Sequence, residues 1–159
     1  MRLEMIYQEA KHPVHEACLH TAATPGEWWI GKTDEEILEA FWDWHVRDNG
    51  WRKIGYHRIC TPDGRILHDN GKRLRSLYEI GAGVAGHNRG VIHICMIPVR
   101  THAGIACFED YFTEAQRIAL KGYLRELAEL TDLRKVSGHN EYDRKECPGF
   151  YVKAEDWLR

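Results

Sequence analysis

The stretch VIHICMIPV, residues 91–99, constrains the fold of this chain more than any other. It is an almost continuous apolar run of strand length, and such a run is expected at the centre of a sheet. Two amphipathic segments lie on either side of it in sequence. Thr33 to Asn49 opens with a Thr33–Glu36 capping box, repeats Ile37, Leu38, Phe41, Trp42 and His45 at helical spacing, and is stopped by Gly50. Thr113 to Leu130 opens with a Thr113–Gln116 box and carries the apolar stripe Leu120, Tyr123, Leu124, Leu127 and Leu130.

Shorter strands surround these elements. VHEACLH (14–20) reads as a strand running into the loop TAATPG, with His20 near its end and Cys18 on the same side as His20. IGYHRICTPDGRILHD reads as a hairpin around a Pro-Asp-Gly turn, with Tyr56, Arg58 and Cys60 expected on one face and His57 and Ile59 on the other. A last strand is expected near Leu133 to Val136. Strands interleaved with helices give an α/β fold, a central mixed sheet flanked by helices, and 159 residues without a repeat or linker give a single domain over 1–159.

Charge and cysteine usage exclude several classes. A formal net charge of -2 lacks the basic footprint of general nucleic-acid binding, so recognition has to come from a shaped groove. Five cysteines without a CxxC pair do not form a secreted disulfide framework. The opening MRLEMIYQEAKHP lacks the apolar core of a secretory leader, and no run reaches the ~18 apolar residues of a membrane span, so membrane insertion is not expected. The expected location at synthesis is the reducing cytoplasm. GAGVAGHNRG (81–90) is glycine-rich but lacks the GxGxxG spacing of a dinucleotide loop.

The chemistry concentrates in SGHNEYDRKECPGF (137–150), which sets His139, Lys145 and Cys147 within nine residues of one another. Zinc accepts imidazole and thiolate together, and a catalytic zinc keeps three protein ligands and one open position. A lysine two residues before a cysteine favours its thiolate. The third ligand has to come from elsewhere, and His20, at a strand end, is the best-placed candidate. The competing reading is an exposed histidine beside a half-buried thiol.

The motifs CLHTAAT, WRKIGYHRICTPDGRI, GAGVAGHNRG, HICMI, the FTEAQ helix start and GHNEYDRKECPGF, in this order from about His15 to Trp157, resemble the type-2 N-acetylmuramoyl-L-alanine amidases, a family that includes amidase-type phage lysozymes and peptidoglycan recognition proteins. The resemblance implies one zinc ion per chain held by His20, His139 and Cys147. It also implies that Tyr56 and Lys145 are the catalytic side chains for hydrolysis of the amide between N-acetylmuramic acid and L-alanine in peptidoglycan. Substrate contacts are expected at His87 and His93. Relatives commonly carry histidine where this chain has Gly83 and glycine where it has His93; either His93 fills space left at Gly83, or both changes are neutral in a specificity pocket.

What the resemblance implies for biology is a phage or prophage endolysin without a separate wall-binding domain, released to the wall through a holin. The alternatives are a cytoplasmic amidase of wall recycling, a non-catalytic peptidoglycan-binding module, and a cysteine hydrolase using Cys147 and His139. One phage relative also binds a phage RNA polymerase; no motif here encodes that partner.

Overall fold

A computed structural model describes residues 14–158 of the chain. The charged opening segment, read above for the absence of a leader, lies outside the described residues. Among the described residues five strands, β1 (Glu16–Thr21), β2 (Arg58–Cys60), β3 (Ile66–Leu67), β4 (Val91–Met96) and β5 (Lys135–Gly138), form one sheet in the order β3-β2-β4-β1-β5. The 91–99 run thus supplies the middle strand, and every residue of β4 is buried. Pairing is parallel between β1 and β4, β1 and β5, and β2 and β4, and antiparallel only across the β2–β3 hairpin, so the sheet is mixed.

Helices cover both faces. α1 (Asp34–Trp42) lays Ile37, Leu38 and Phe41 on Ile59, Leu67, Cys95 and Ile97. After the short α2 (Phe108–Tyr111), the long α3 (Glu114–Leu130) lays Leu120, Leu124 and Leu127 on Leu19, Ile92, Ile94 and Met96 of the opposite face. Each such buried leucine contributes about 1.5–3 kcal/mol by leaving water. Both expected capping boxes are present, Thr33 with Glu36 and Thr113 with Gln116. A terminal turn, α4 (Ala154–Trp157), buries Trp157 against Phe108 and Phe150.

Three local expectations change. The 33–49 helix is α-helical only to Trp42; Asp43–Asp48 continues as a π-helix before Gly50, at a φ of 75°, ends it. The last strand lies two residues later than expected, so Gly138 runs directly into the 3-10 turn His139–Glu141. Tyr56 does not share a face with Cys60: it packs with the α1-side cluster, whereas Cys60 faces α3. The physical reason is that residues 55–57 precede β2 and bend. The Tyr56 carbonyl accepts the Arg75 amide and the His57 amide donates to the His93 carbonyl, so strand alternation does not begin until Arg58.

Candidate metal centre and cleft

His20 is the penultimate residue of β1, and its side chain leaves the face covered by α1. β5 pairs in parallel beside β1, with Leu19 opposite Gly138, so His139 emerges at the same end of the sheet as His20. The two rings lie with centroids 4.9 Å apart. The chain then turns and returns Cys147 to the end of β1, where the Thr21 amide donates to its Sγ at 3.3 Å. One donor atom each from His20, His139 and Cys147 lies within 4.8 Å of the other two.

The fit to a metal is tested by what each donor atom does. His20 is 1% exposed, and its Nδ1 is buried without a hydrogen-bond partner among the described residues. A buried polar atom left unpaired costs about 1–3 kcal/mol, which a bound cation would remove. His139 uses Nε2 on the Asp143 carboxylate at 2.8 Å, the arrangement in which a carboxylate orients an imidazole for metal binding. Two imidazoles and a thiolate are a donor set for a borderline-soft cation in a three-ligand site. The residues fit the group.

Burial shapes the electrostatics. Desolvation, reinforced by the neighbouring His93 and His139, holds His20 well below the ordinary histidine range, so it is a neutral donor. Desolvation also raises the Cys147 thiol to about 11, against the opposing pull of the Thr21 amide and the Lys145 charge. A second set, Cys18, His20 and His93, also clusters within 4.8 Å. It is enclosed in the sheet, with Cys18 and His93 both 0% exposed and the Cys18 thiol raised to about 12 by burial, so solvent does not reach these two side chains.

Tyr56 sets its ring against His20, centroids 5.0 Å apart, and desolvation together with the adjacent Cys95 and Cys147 pushes its phenol well above the ordinary range. From Tyr56 a cleft of about 420 Å³ opens, lined by Thr21, Phe41, Trp44, His45, Asp48 and Asn49. The π-helical segment forms its far wall. His45 accepts the Gly55 amide at Nδ1 and packs beside Tyr56, and burial lowers it to about 4.

The other expected site residues are placed differently. Lys145 is exposed on the turn before Cys147, where its charge acts on the thiol. His87 is away from the cluster: it stacks on Tyr142 at 3.8 Å and contacts Glu16, four residues, or about 13 Å of strand, before His20. His93 offers a substrate no surface, because it is fully buried beneath His20, with His20 Nε2 2.8 Å from its Nδ1. A Cβ at Gly83 would stand 2.6 Å from His93 Cγ and 2.8 Å from His20 Nε2, so the imidazole of His93 takes the space a side chain at 83 would need.

Sequence reasoning missed three supports. Asp143 was readable as a carboxylate four residues after a histidine. Asn88, which contacts His93 Nε2 at 2.8 Å, and His102, 2.7 Å from the Thr21 hydroxyl and packed on Tyr111, carry no spacing signal.

The family model of N-acetylmuramoyl-L-alanine amidase matches residues 10–150. The chain is 28% identical over 141 residues to an endolysin of Enterobacteria phage K11, covering 89% of this chain and 83% of that protein. It is 30% identical over 110 residues to an endolysin of Klebsiella phage KP32, covering 69% and 68%. Among solved structures it resembles the N-acetylmuramoyl-L-alanine amidase LysC from Clostridium intestinale URNW, with a TM-score of 0.66 at 22% identity over 91% of this chain and 83% of that one. It also resembles wild-type Drosophila PGRP-LB, with a TM-score of 0.67 at 20% identity over 94% and 79%. At these identities the structural likeness is one of fold.

Proposed function

The chain belongs to the N-acetylmuramoyl-L-alanine amidase family, and on that footing we propose that it is a zinc-dependent endolysin that cuts the amide between the lactyl group of N-acetylmuramic acid and L-alanine. The observation that carries the zinc reading is the unpartnered, buried Nδ1 of His20 within a cluster of two imidazoles and one thiol beside an open cleft. The phage endolysins among the relatives support the lytic role. The family match and the single sheet with helices on both faces support one catalytic domain.

In this reading His20, His139 and Cys147 hold one zinc ion, and Asp143 fixes the His139 ring. Zinc, when bound, supplies acidification of a water and polarisation of the scissile carbonyl. The cleft wall of Trp44, His45 and Tyr56 holds the glycan-peptide against the site and excludes bulk water. Tyr56 hydrogen-bonds the attacking water or the oxygen on which charge develops. Lys145 adds a positive charge to the same region, and loss of one such donor typically costs roughly 100- to 1000-fold in rate. Water adds to the carbonyl carbon, the C–N bond breaks, and the products are a lactyl carboxylate and a free L-alanine amine. No helix among the described residues is long and apolar enough to cross a membrane; access to the wall through a holin-type lesion is the proposed route.

Elemental analysis joined to a digest of intact sacculi tests the reading. The expected result is about one zinc per chain and new L-alanine amino ends. Turnover that survives thorough chelation would remove zinc from the mechanism. Cleavage confined to soluble anhydro-muropeptides would replace lysis by wall recycling.

A further inference from the structure

The imidazole that holds His20 from behind belongs to a side chain that makes no contact with solvent. His93 stands at the middle of β4, directly across from Cys18 in the parallel register, and is 0% exposed. Its Nδ1 is 2.8 Å from His20 Nε2, and its Nε2 is 2.8 Å from Asn88 Oδ1. The Asn88 oxygen also accepts the Val84 amide at 3.1 Å. An amide N–H can only donate, so that atom is the acceptor end of the Asn88 side chain.

The tautomers then follow one from another. Facing the Asn88 oxygen, His93 Nε2 must carry the hydrogen, which leaves Nδ1 as an acceptor in the neutral ring. His20 Nε2 must therefore carry a hydrogen and donate it to His93 Nδ1. The remaining nitrogen of His20, Nδ1, is left with a bare lone pair, and it is a buried atom that finds no partner among the described residues. The opposite assignment would place a buried N–H on Nδ1 with nothing to receive it.

We infer that His93 is a positioning residue that fixes the tautomer and ring plane of His20, so that Nδ1 is presented to the metal. This rests on the metal reading given above. His57 also supports His93, with the two rings stacked at a centroid distance of 6.0 Å. His57 accepts the His93 amide at Nδ1, 3.0 Å away, and donates from Nε2 to the Glu79 carbonyl at 2.8 Å. Gly81 and Gly83 lie against the imidazoles: a Cβ at 81 would stand 2.7 Å from His57 Cε1 and 2.8 Å from His93 Cδ2. The glycine-rich segment is thus flat where it crosses the histidine pair, and this closeness, rather than phosphate binding, accounts for the two glycines.

The test compares zinc affinity, measured by competition with a chromophoric chelator, in the wild type, His93→Leu and His93→Asn. Leu fills space but accepts nothing, whereas Asn can offer an oxygen near the position of Nδ1. Outer partners of metal-bound histidines typically govern about 10- to 100-fold of affinity, so His93→Leu is expected to lose that much and His93→Asn to recover most of it. Equal affinities in both variants, whether both reduced or both unchanged, would overturn the positioning role and leave only space-filling. Nitrogen-15 NMR of the zinc-free wild type reads the tautomer without any variant. A hydrogen on His20 Nε2 with a bare Nδ1 is expected, and the reverse assignment overturns the inference. Failure of the wild type itself to bind zinc would instead refute the metal reading, and it would be seen before any variant is compared.

Discussion

Asp143 grips His139 at Nε2, 2.8 Å away and one turn further along the chain, so the other imidazole nitrogen is the one left for a ligand. The carboxylate is one-third exposed while the ring it holds is 10% exposed. Asp143→Ala is therefore expected to weaken zinc binding about 10- to 100-fold with the fold retained. Chelator competition alongside far-UV circular dichroism checks this. Unchanged affinity would show that the ring is set by packing alone.

Zinc uptake is expected to release a proton from Cys147. Burial raises this thiol to about 11, so the metal-free protein carries it protonated at neutral pH, and coordination requires the thiolate. Affinity should therefore climb as pH rises from 6 to 8. Calorimetric titrations in buffers of different ionisation enthalpy should report about one proton released per zinc, and zero release would assign the thiolate to the free protein.

Acid stability has an identifiable contributor away from the cluster. Burial works against ionisation of Glu79, but Lys53, the Ser76 amide and Arg52 outweigh it and hold the carboxyl at about 2, against an ordinary 4.5. A depressed folded value stabilises the protein above the unfolded value and is lost as protons bind. The contribution should therefore be full above about pH 4.5 and disappear towards pH 2. Glu79→Gln should lower the unfolding midpoint at pH 7 and flatten this acid limb. An equally steep limb in the variant would place the effect elsewhere.

The cleft wall should register in substrate affinity rather than in zinc content. Trp44 is 36% exposed and lines the cavity next to His45. Trp44→Ala is expected to raise KM roughly 3- to 10-fold, the equivalent of one aromatic contact of about 0.5–1.5 kcal/mol. Loss of zinc from this variant would mean that the helix wall also supports the ligands.

Leu124 has 0% exposure at the contact between α3 and the sheet. Leu124→Ala should cost about 2–5 kcal/mol by urea unfolding, with specific activity of the folded fraction maintained.

What could be read in the sequence was what depends on local rules. Thr33 with Glu36 and Thr113 with Gln116 announce helix starts because the capping partners are three residues apart, and the 91–99 run announces a middle strand because it has no polar face. The grouping of His20, His139 and Cys147 was legible through the family motifs, and the structure brings their donor atoms within 4.8 Å of one another. Tyr56 departs from the face that alternation predicts because alternation applies only inside a strand, and the bend before β2 is set by backbone bonds to residues 75 and 93. The sequence alone does not separate His93 from a cleft residue, because no local pattern distinguishes a histidine facing substrate from one facing another histidine. The support from His102 depends on a loop folding back on Thr21, a contact 81 residues apart in sequence.

The parallel pairing of β5 with β1 also sets when the proposed metal cluster can exist during synthesis. His20 leaves the ribosome early, but the strand that carries His139 to it, and the turn that returns Cys147, come more than a hundred residues later. A chain halted before Lys135 would hold one of the three clustered donors, His20, and no neighbouring edge for β1 on that side. If the cluster holds zinc as proposed, metal capture has to await an almost fully translated chain, and unfinished copies lack the site on which the proposed cutting depends.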